Sequence, residues 1–293
     1  MKICVLGAGS LGCAIGGALA RSGADVTLIN RREAHVLAIR QHGLVLREAG
    51  VDTPVAVRAA TDAAGLGVMD LLIVLVKSYD TRSAMQGALH LVGPETVVLS
   101  LQNGLGHEDV LADLVGAERV LAGKTYVGGV LVAPGVVEAG TAGKETLIGE
   151  LRAKGSARAD RIAGVFNAAG LQTQVCEDIM ATIWDKLLIN VSTGALSGIT
   201  RLPYGALYQI PQVEACAVAA VEEAMAVARA SGIRLSYHHG VDAWRKAAAG
   251  LPYGFKASML QSLEKGTRTE IDYINGAVAV SYTHLRAHET RHD

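Results

Sequence analysis

Cysteine is scarce in this sequence, which argues against several kinds of site. The 293 residues include four cysteines, Cys4, Cys13, Cys176 and Cys216, and no two of them form a CxxC pair. This spacing disfavours a zinc site or a redox dithiol, and such sparse cysteines fit a reducing compartment. We therefore expect no metal site and interpret the cysteines as small buried side chains.

Long apolar segments and an excess of one charge are also missing. No stretch reaches the ~20 apolar residues needed to cross a bilayer, and the N-terminal apolar run is too short for a signal-peptide core. The formal net charge is −1, without the basic patch that nucleic-acid binding requires. We therefore expect a cytoplasmic protein, a monomer or homodimer, with neither a membrane nor a nucleic acid as partner.

Aromatic residues make up only 4% of the chain, although half of its residues are hydrophobic. That hydrophobic fraction is ample for buried cores. The small side chains of alanine and glycine suit helices that pack closely against each other and against a sheet. The length is typical of two domains.

The N-terminal half alternates short apolar runs with helical patterns. Lys2–Leu6 and Asp25–Ile29 are predicted strands, and the helix between them ends at Gly23. Apolar runs at 71–76 and 96–101 continue the alternation, which predicts a doubly wound α/β sheet of the Rossmann type. Glycine-rich residues 120–150 predict strands and hairpins that extend this sheet, and a helix over 156–169 and a strand over 173–176 close the domain.

Strand signals stop beyond Asp178, where Ala-rich helical segments take over. One of them, Pro211–Ala230, has proline at its start and Gly232 just past its end. We therefore predict an α/β Rossmann-type domain at residues 1–177, followed by an all-α domain at residues 178–280. The last residues, 281–293, carry three of the nine histidines. A metal-binding tail is one interpretation, and we favour the other, a non-native cloning or assembly scar.

A glycine-rich motif, GAGSLG, joins the first predicted strand to the first predicted helix. Its residues are Gly7, Ala8, Gly9, Ser10, Leu11 and Gly12. A GxGxxG motif in this context predicts a dinucleotide site, because the glycines allow a tight turn, a close approach to a pyrophosphate and close helix packing. The helix N-terminus supplies N–H groups to the phosphates. A purely structural turn is the alternative.

The residues after the second strand indicate which dinucleotide binds. An acid at this point would bond the ribose 2′-hydroxyl of NAD, whereas this sequence has Asn30-Arg31-Arg32. Arginine suits a phosphate, so we predict NADP(H) with Arg31 as its contact, unless both arginines are only solvated surface residues. Lys77 and Asn103 follow two later strands and are candidates for cofactor binding, Asn103 also for substrate binding. Taken singly, each of these two residues is better explained as an ordinary loop residue, a solvated lysine or an asparagine in a turn.

Two segments of the second half carry further polar residues. Lys186, Asn190, Thr193 and Ser197 form one stripe on an apolar helix, which either lines a wet cleft or faces solvent. Ser258 is followed by Glu270 in a second segment, where acids beside an asparagine are also consistent with a simple helix cap.

Taken together, these motifs resemble the ketopantoate reductase (2-dehydropantoate 2-reductase) family. The resemblance runs from Met1 to about Val280 and depends on GAGSLG, the VK and QNGLG loops, TYVGGV, WDKLLIN, and SMLQ followed by EKG and TEIDYINGAV. It implies reduction of a 2-keto acid by NADPH, with pantoate of the coenzyme A (pantothenate) pathway as the expected product. It also implies that Lys186 is the proton donor, that Glu270 bonds the nascent hydroxyl, and that Asn190 and Ser258 bind substrate.

The sequence departs from the family pattern at four positions, where it has Gly194, Tyr204, Phe255 and Ser262. These changes leave open a reductase of another 2-keto acid. A β-hydroxyacid-type dehydrogenase and a non-catalytic NADP(H)-sensing protein are further alternatives. The joint presence of Lys186 and Glu270 favours an enzyme over a sensor, and the segment TEIDYINGAV favours the reductase over the dehydrogenase.

Overall fold

The computed structural model describes residues 1–152 and 154–289, with residues 284–289 described by their backbone alone. The chain divides into two compact units. The first comprises Met1–Gln102 and His107–Ile179, and the second comprises Asn103–Gly106 and Met180–Asp293.

The first unit is an α/β domain, as predicted. Its strands and helices are, in chain order, β1 (Lys2–Leu6), α1 (Ser10–Arg21), β2 (Asp25–Ile29), α2 (Glu33–His42), β3 (Leu44–Glu48), β4 (Val51–Val55), β5 (Arg58–Ala60), β6 (Met69–Val74), α3 (Thr81–Gln86), β7 (Val92–Ser100), α4 (His107–Val115), β8 (Val120–Thr125), β9 (Gly128–Ala133), β10 (Val136–Gly140), β11 (Thr146–Glu150), α5 (Ala157–Ala168) and β12 (Thr173–Val175).

Eight strands form the main sheet in the order β12-β11-β8-β7-β6-β1-β2-β5. The pairs from β8 to β5 are all parallel, whereas β11 is antiparallel to β8. Leu6 is in register with both Ile29 and Val74, and Val74 is in register with Ser100. The carboxyl ends of four strands are therefore aligned at one edge of the sheet, where open α/β sheets bind their ligands.

The prediction that residues 120–150 only extend the main sheet is wrong in part. β8 and β11 do join it, but β9 and β10 form a separate sheet in the order β4-β3-β10-β9. The strands β3, β4 and β5 were not predicted. β4 is mostly exposed and contains Pro54, so its local pattern is weak. The parallel pairing of β10 with β3 joins segments that are distant in sequence, and no local pattern reports such a partner.

Helix α1 lies between the two sheets of this unit. A Cβ atom added at Gly16 would meet Leu28 of the main sheet at 2.5 Å, and one added at Gly17 would meet Leu44 and Leu46 of the small sheet at 2.8 Å. All residues from Gly12 to Leu19 are buried. The glycine content of α1 therefore reflects packing on two opposite faces.

The second unit is helical in its described part, as predicted. It contains α6 (Ile179–Thr200), α7 (Tyr204–Leu207), α8 (Pro211–Ala230), α9 (Gly240–Ala248), α10 (Ser258–Glu264) and α11 (Asn275–Glu289). A 3-10 turn at Ile271–Tyr273 precedes α11. Of the residues interpreted as a non-native tail, 281–289 belong to α11, and residues 290–293 lie outside the described residues.

The remaining expectations from composition have mixed outcomes. Cys4 and Cys13 are buried, but Cys216 is exposed on α8, so the interpretation of all cysteines as buried is wrong there. Within the described part of the chain, no helix combines the length and apolarity needed to cross a bilayer. The same residues contain no cluster of three or more His, Cys, Asp or Glu side chains arranged to hold a metal ion.

Candidate active site

The glycine motif forms a tight turn between β1 and α1. Gly7 has a φ of +99°, and a Cβ atom there would lie 2.4 Å from the backbone nitrogen of Val76. A Cβ atom at Gly12 would lie 2.4 Å from the carbonyl oxygen of Gly7. At Gly9, an added Cβ atom would meet no described atom within 4 Å. Two of the three glycines are thus required by packing, and the third borders open space.

The N-terminus of α1 is suited to an anion. The preceding residue, Gly9, supplies no side-chain cap, and the first turn of α1 contains no acid. The first N–H groups of a helix have no partner within it and carry its positive dipole end. The Ser10 hydroxyl already accepts a hydrogen bond from the Leu131 N–H at 3.0 Å, so Ser10 also holds β9 against the turn. Leu11 is half-buried against the core.

Asn30 and His35, whose roles the sequence did not predict, hold the glycine turn in place through hydrogen bonds. Asn30 donates from Nδ2 to the carbonyl oxygen of Ala8 at 2.6 Å and accepts from the Arg32 N–H at 2.9 Å. The buried ring of His35 accepts from the Gly135 N–H at Nδ1, at 3.0 Å, which leaves the ring proton on Nε2. This Nε2 lies 3.3 Å from Cys13 Sγ. These contacts tie α1, α2 and the β9–β10 hairpin together.

The ionisation of this network follows from its burial. Burial lowers the pKa of His35 by more than the hydrogen bond with the Ala8 carbonyl raises it, and the positive charge of Arg32 lowers it slightly further. Burial also raises the pKa of the Cys13 thiol to about 12, so the thiol stays protonated and its Sγ lies 3.2 Å from the Ala8 carbonyl oxygen as a donor. A neutral imidazole and a neutral thiol therefore support the glycine turn.

The two predicted cations of this unit lie in loops at the carboxyl edge of the main sheet. Arg31 is highly exposed, and its Nη2 donates to Asp80 Oδ2 at 2.6 Å. Lys77 is exposed and precedes the 3-10 turn Ser78–Asp80. The partner of Arg31 was not anticipated, because an ion pair across 49 residues leaves no local signal.

Asn103 follows β7 and belongs to the second unit by its contacts. The next residues are anchored by the Leu105 N–H, which donates to the Tyr273 carbonyl oxygen at 2.9 Å. Gly104 has a φ of +96°, and a Cβ atom there would lie 2.3 Å from the same oxygen. The loop that carries Asn103 is therefore held against the 3-10 turn that begins one residue after Glu270.

Helix α6 carries the predicted catalytic lysine. Lys186 and Asn190 are half-buried, one turn apart on this helix. The neighbouring Asp185 accepts a hydrogen bond from the Ser236 N–H at 3.0 Å. This acid is therefore held by the segment that follows α8.

Two elements of the second unit, α10 and α11, meet the middle of α6. A Cβ atom at Gly194 would lie 3.1 Å from Met259 Cε, so α10 packs closely at this point. Met259 directly follows Ser258, whose side chain is exposed at the start of α10. Asn275, at the start of α11, donates from Nδ2 to the Val191 carbonyl oxygen at 3.4 Å. The structure thus brings the segments of Ser258 and Asn275 to the turns of α6 that follow Asn190.

Glu270 is buried, with 8% of its surface exposed. Its carbonyl oxygen accepts from the Tyr273 N–H at 3.0 Å, which closes the 3-10 turn before α11. Burial of a carboxyl group is costly unless it is paired or hydrogen-bonded. Glu270 is therefore distinct from its exposed neighbour Asp272, which forms a surface pair with Arg268.

The polar stripe on α6 does not face solvent throughout. Thr193 and Ser197 are buried. Ser197 donates to the Leu202 carbonyl oxygen at 2.7 Å, and Thr193 accepts from the Tyr204 hydroxyl at 2.9 Å. The solvent-facing interpretation is therefore wrong for these two residues, because each hydroxyl bonds the segment that follows α6.

The four departures from the family pattern have structural counterparts. Tyr204 is buried and packs edge-on against Phe255, with ring centroids 5.0 Å apart. Gly194 accommodates Met259, as described above. Ser262 is buried, and its carbonyl oxygen accepts from the Thr267 N–H and hydroxyl. Aromatic or close-packed contacts thus occupy three of these positions, and the fourth, Ser262, is buried beside Thr267.

Both units of the chain match known protein families. The chain matches the family described as ketopantoate reductase PanE/ApbA over residues 3–153, and the C-terminal domain of that family over residues 178–280. A curated relative from Halobacterium salinarum, named 2-dehydropantoate 2-reductase, is 38% identical over 279 residues, which cover 95% of this chain and 91% of the relative.

Solved structures are similar over the same extent. A PanE/ApbA family ketopantoate reductase from Ralstonia eutropha JMP134 superposes with a TM-score of 0.88 and 36% identity, covering 97% of this chain and 92% of that one. D-mandelate dehydrogenase, in a ternary structure with NADH and anilino(oxo)acetate, superposes with a TM-score of 0.89 and 28% identity. The match covers 96% of this chain and 91% of that one. Both family domains and the fold agree, so the chain belongs to the ketopantoate reductase family.

Proposed function

We propose that this chain is an NADPH-dependent reductase that converts a 2-keto acid, 2-dehydropantoate, to the corresponding 2-hydroxy acid, pantoate. The observation that carries the proposal is the arrangement around α6. Lys186 and Asn190 lie on this helix, and the segments of Ser258 and Asn275 contact the turns that follow them. Relatives named for this reaction match both units of the chain.

The glycine turn fits the pyrophosphate of the cofactor. Gly9 borders open space, and α1 begins without a side-chain cap or an acid in its first turn. These are the features that a helix N-terminus needs to bind an anion. Arg31 and Lys77 are exposed cations in two loops at the same edge of the sheet and are candidates to bind the 2′-phosphate.

The cofactor supplies the hydride, and residues of the second unit do the rest of the chemistry. When hydride is added to the carbonyl carbon, negative charge develops on the oxygen. Lys186 stabilises this charge and transfers its proton to the oxygen, so that the ketone becomes an alcohol. In this proposal Glu270 accepts a hydrogen bond from the new hydroxyl, Ser258 binds the substrate carboxylate, and Asn190 and Asn103 orient the substrate.

A second substrate class, the aryl 2-keto acids, is favoured by one observation. The Tyr204 hydroxyl donates to Thr193 of α6, and the Tyr204 ring packs edge to face against Phe255, an arrangement that aromatic pairs favour. The similar D-mandelate dehydrogenase was solved with anilino(oxo)acetate, which carries an aryl group. Such a substrate would undergo the same hydride and proton transfers.

The test measures NADPH oxidation by wild type, by Lys186→Ala and by the control variant Lys246→Ala, which changes an exposed lysine. Each protein is assayed with 2-dehydropantoate and, separately, with phenylglyoxylate. We expect Lys186→Ala to lower kcat by at least ~10²-fold with unchanged NADPH affinity, while Lys246→Ala behaves like wild type. A higher kcat/KM for phenylglyoxylate would select the second substrate class. Equal turnover by wild type and Lys186→Ala would reject the proposed mechanism.

A further inference from the structure

The ion pair between Arg31 and Asp80 bears on the choice between NADPH and NADH. We propose that Asp80 is a specificity-determining residue that reduces the preference of this chain for NADPH over NADH. The inference rests on the proposed function, in which Arg31 contacts the 2′-phosphate. Because Asp80 bonds the same guanidinium group, it acts on the interaction that distinguishes the two cofactors.

The Asp80 carboxylate contacts the guanidinium group of Arg31, the residue proposed to bind the 2′-phosphate. Arg31 Nη2 and Asp80 Oδ2 are 2.6 Å apart, and the Arg31 side chain is 79% exposed compared with 23% for Asp80. The guanidinium group therefore reaches over to a largely enclosed carboxylate. One of its N–H groups is engaged there, and the guanidinium offers further N–H donors to a phosphate.

Asp80 is fixed by a network within its loop. Its N–H donates to the Lys77 carbonyl oxygen at 2.7 Å. The next residue, Thr81, is buried, and its hydroxyl donates to the Ser78 carbonyl oxygen at 2.8 Å. Gln102 donates from Nε2 to the Val76 carbonyl oxygen at 2.9 Å and to Thr81 Oγ1 at 2.8 Å. These bonds fix the backbone from which the Asp80 side chain extends, and the Arg31 guanidinium is the group that its carboxylate contacts.

The charges decide the sign of the effect. A dianionic 2′-phosphate bound to Arg31 would share its guanidinium group with the Asp80 carboxylate, and repulsion between a dianion and a carboxylate about 6 Å apart corresponds to about a tenfold loss of affinity even in water. NADH lacks this phosphate, so the Asp80 carboxylate has no dianion to repel when NADH binds. Asp80 therefore weakens NADPH binding without weakening NADH binding.

The experiment compares the dissociation constants of NADPH and NADH, measured by nicotinamide fluorescence in the absence of substrate. The variants are wild type, Asp80→Asn, Arg31→Ala and the matched control Asp52→Asn. Asp52 pairs with Arg47 in the β3–β4 hairpin at 2.6 and 2.8 Å, so this control removes the same charge from another arginine pair.

We expect Asp80→Asn to tighten NADPH binding by about tenfold at low ionic strength, and to leave NADH binding unchanged. The gain should shrink in high salt because exposed charges are screened. Asp52→Asn should change neither constant, and Arg31→Ala should weaken NADPH alone.

Two results would overturn the inference. If Asp80→Asn leaves the NADPH to NADH ratio unchanged, or weakens NADPH, Asp80 does not oppose the phosphate. Both outcomes leave the proposed function intact as long as wild type binds NADPH. If wild type binds neither nucleotide, the proposed function fails together with the inference.

Discussion

Two glycines of the glycine turn, Gly9 and Gly12, differ in the space that an added side chain would find, and this difference can be tested. A Cβ atom at Gly9 meets no described atom within 4 Å, and this residue has extended backbone with a φ of −79°. A Cβ atom at Gly12 meets the carbonyl oxygen of Gly7 at 2.4 Å. We therefore predict that Gly9→Ala lowers cofactor affinity without loss of stability, whereas Gly12→Ala destabilises the fold.

The magnitudes follow from these contacts. Alanine at Gly9 restricts the unfolded chain and should stabilise by about 0.4–1 kcal/mol, but its methyl group occupies the space that a pyrophosphate needs. Loss of one hydrogen bond to a charged group, about 1.5–3 kcal/mol, corresponds to a rise in the NADPH Kd of about 10- to 160-fold.

At Gly12, alanine gains about 1 kcal/mol of helix propensity. The overlap with a backbone oxygen costs about 2–3 kcal/mol, in the upper part of the range for overpacking, because the carbonyl cannot rotate away. The clash is the larger effect, and a net loss of about 1–2 kcal/mol lowers the melting temperature by about 2–8 °C.

Thermal melts without ligand and fluorescence titrations with NADPH measure both effects on the same samples. The reasoning is refuted if Gly9→Ala binds NADPH as tightly as wild type, or if it melts as early as Gly12→Ala.

Three further changes test the site and its support. Glu270→Gln should lower kcat by about 10²-fold while NADPH affinity is retained, and an unchanged kcat would remove Glu270 from the reaction. The lowered pKa of His35 means that wild-type stability is complete above pH 6.5 and falls as the pH drops towards the folded-state value. His35→Gln should abolish that loss in melts across about pH 5–8, and an identical profile would exclude His35 as its source. Burial raises the pKa of Glu150, but hydrogen bonds from Arg158 and Ser156 outweigh it, so the net pKa lies below 4.5. Glu150→Gln should therefore melt earlier than wild type at neutral pH, and this difference should vanish as the pH falls below 4.5; a difference that persists in acid would point to packing instead.

Local signals in the sequence are strong where one element explains its own pattern. The strand Lys2–Leu6 and the helix Pro211–Ala230 have the predicted bounds. Ser156 caps α5 by accepting from the Ala159 N–H, at the residue where the predicted helix begins. Each of these features depends on residues within a few positions of each other, so periodicity and capping suffice to predict them.

The small sheet was missed because its stability comes from partners elsewhere in the chain. Leu44 and Leu46 of β3 are buried against Gly17 of α1, and β10 completes the pairing from more than 80 residues away. A five-residue strand with an exposed, proline-containing neighbour carries little signal of its own.

The features of the candidate site also fall into two groups, those that the sequence predicts and those that depend on tertiary contacts. The sequence by itself determined the glycine turn, the strands and helices on either side of it, and the residue types, such as Lys186, that the proposed chemistry needs. Only the tertiary structure decided that His35 and Asn30 support the turn, that Arg31 pairs with Asp80, and that α10 and α11 meet α6 beyond Asn190. The physical reason is that capping, turns and periodicity are short-range, whereas ion pairs, buried hydrogen bonds and helix contacts form between segments that only the folded chain brings together.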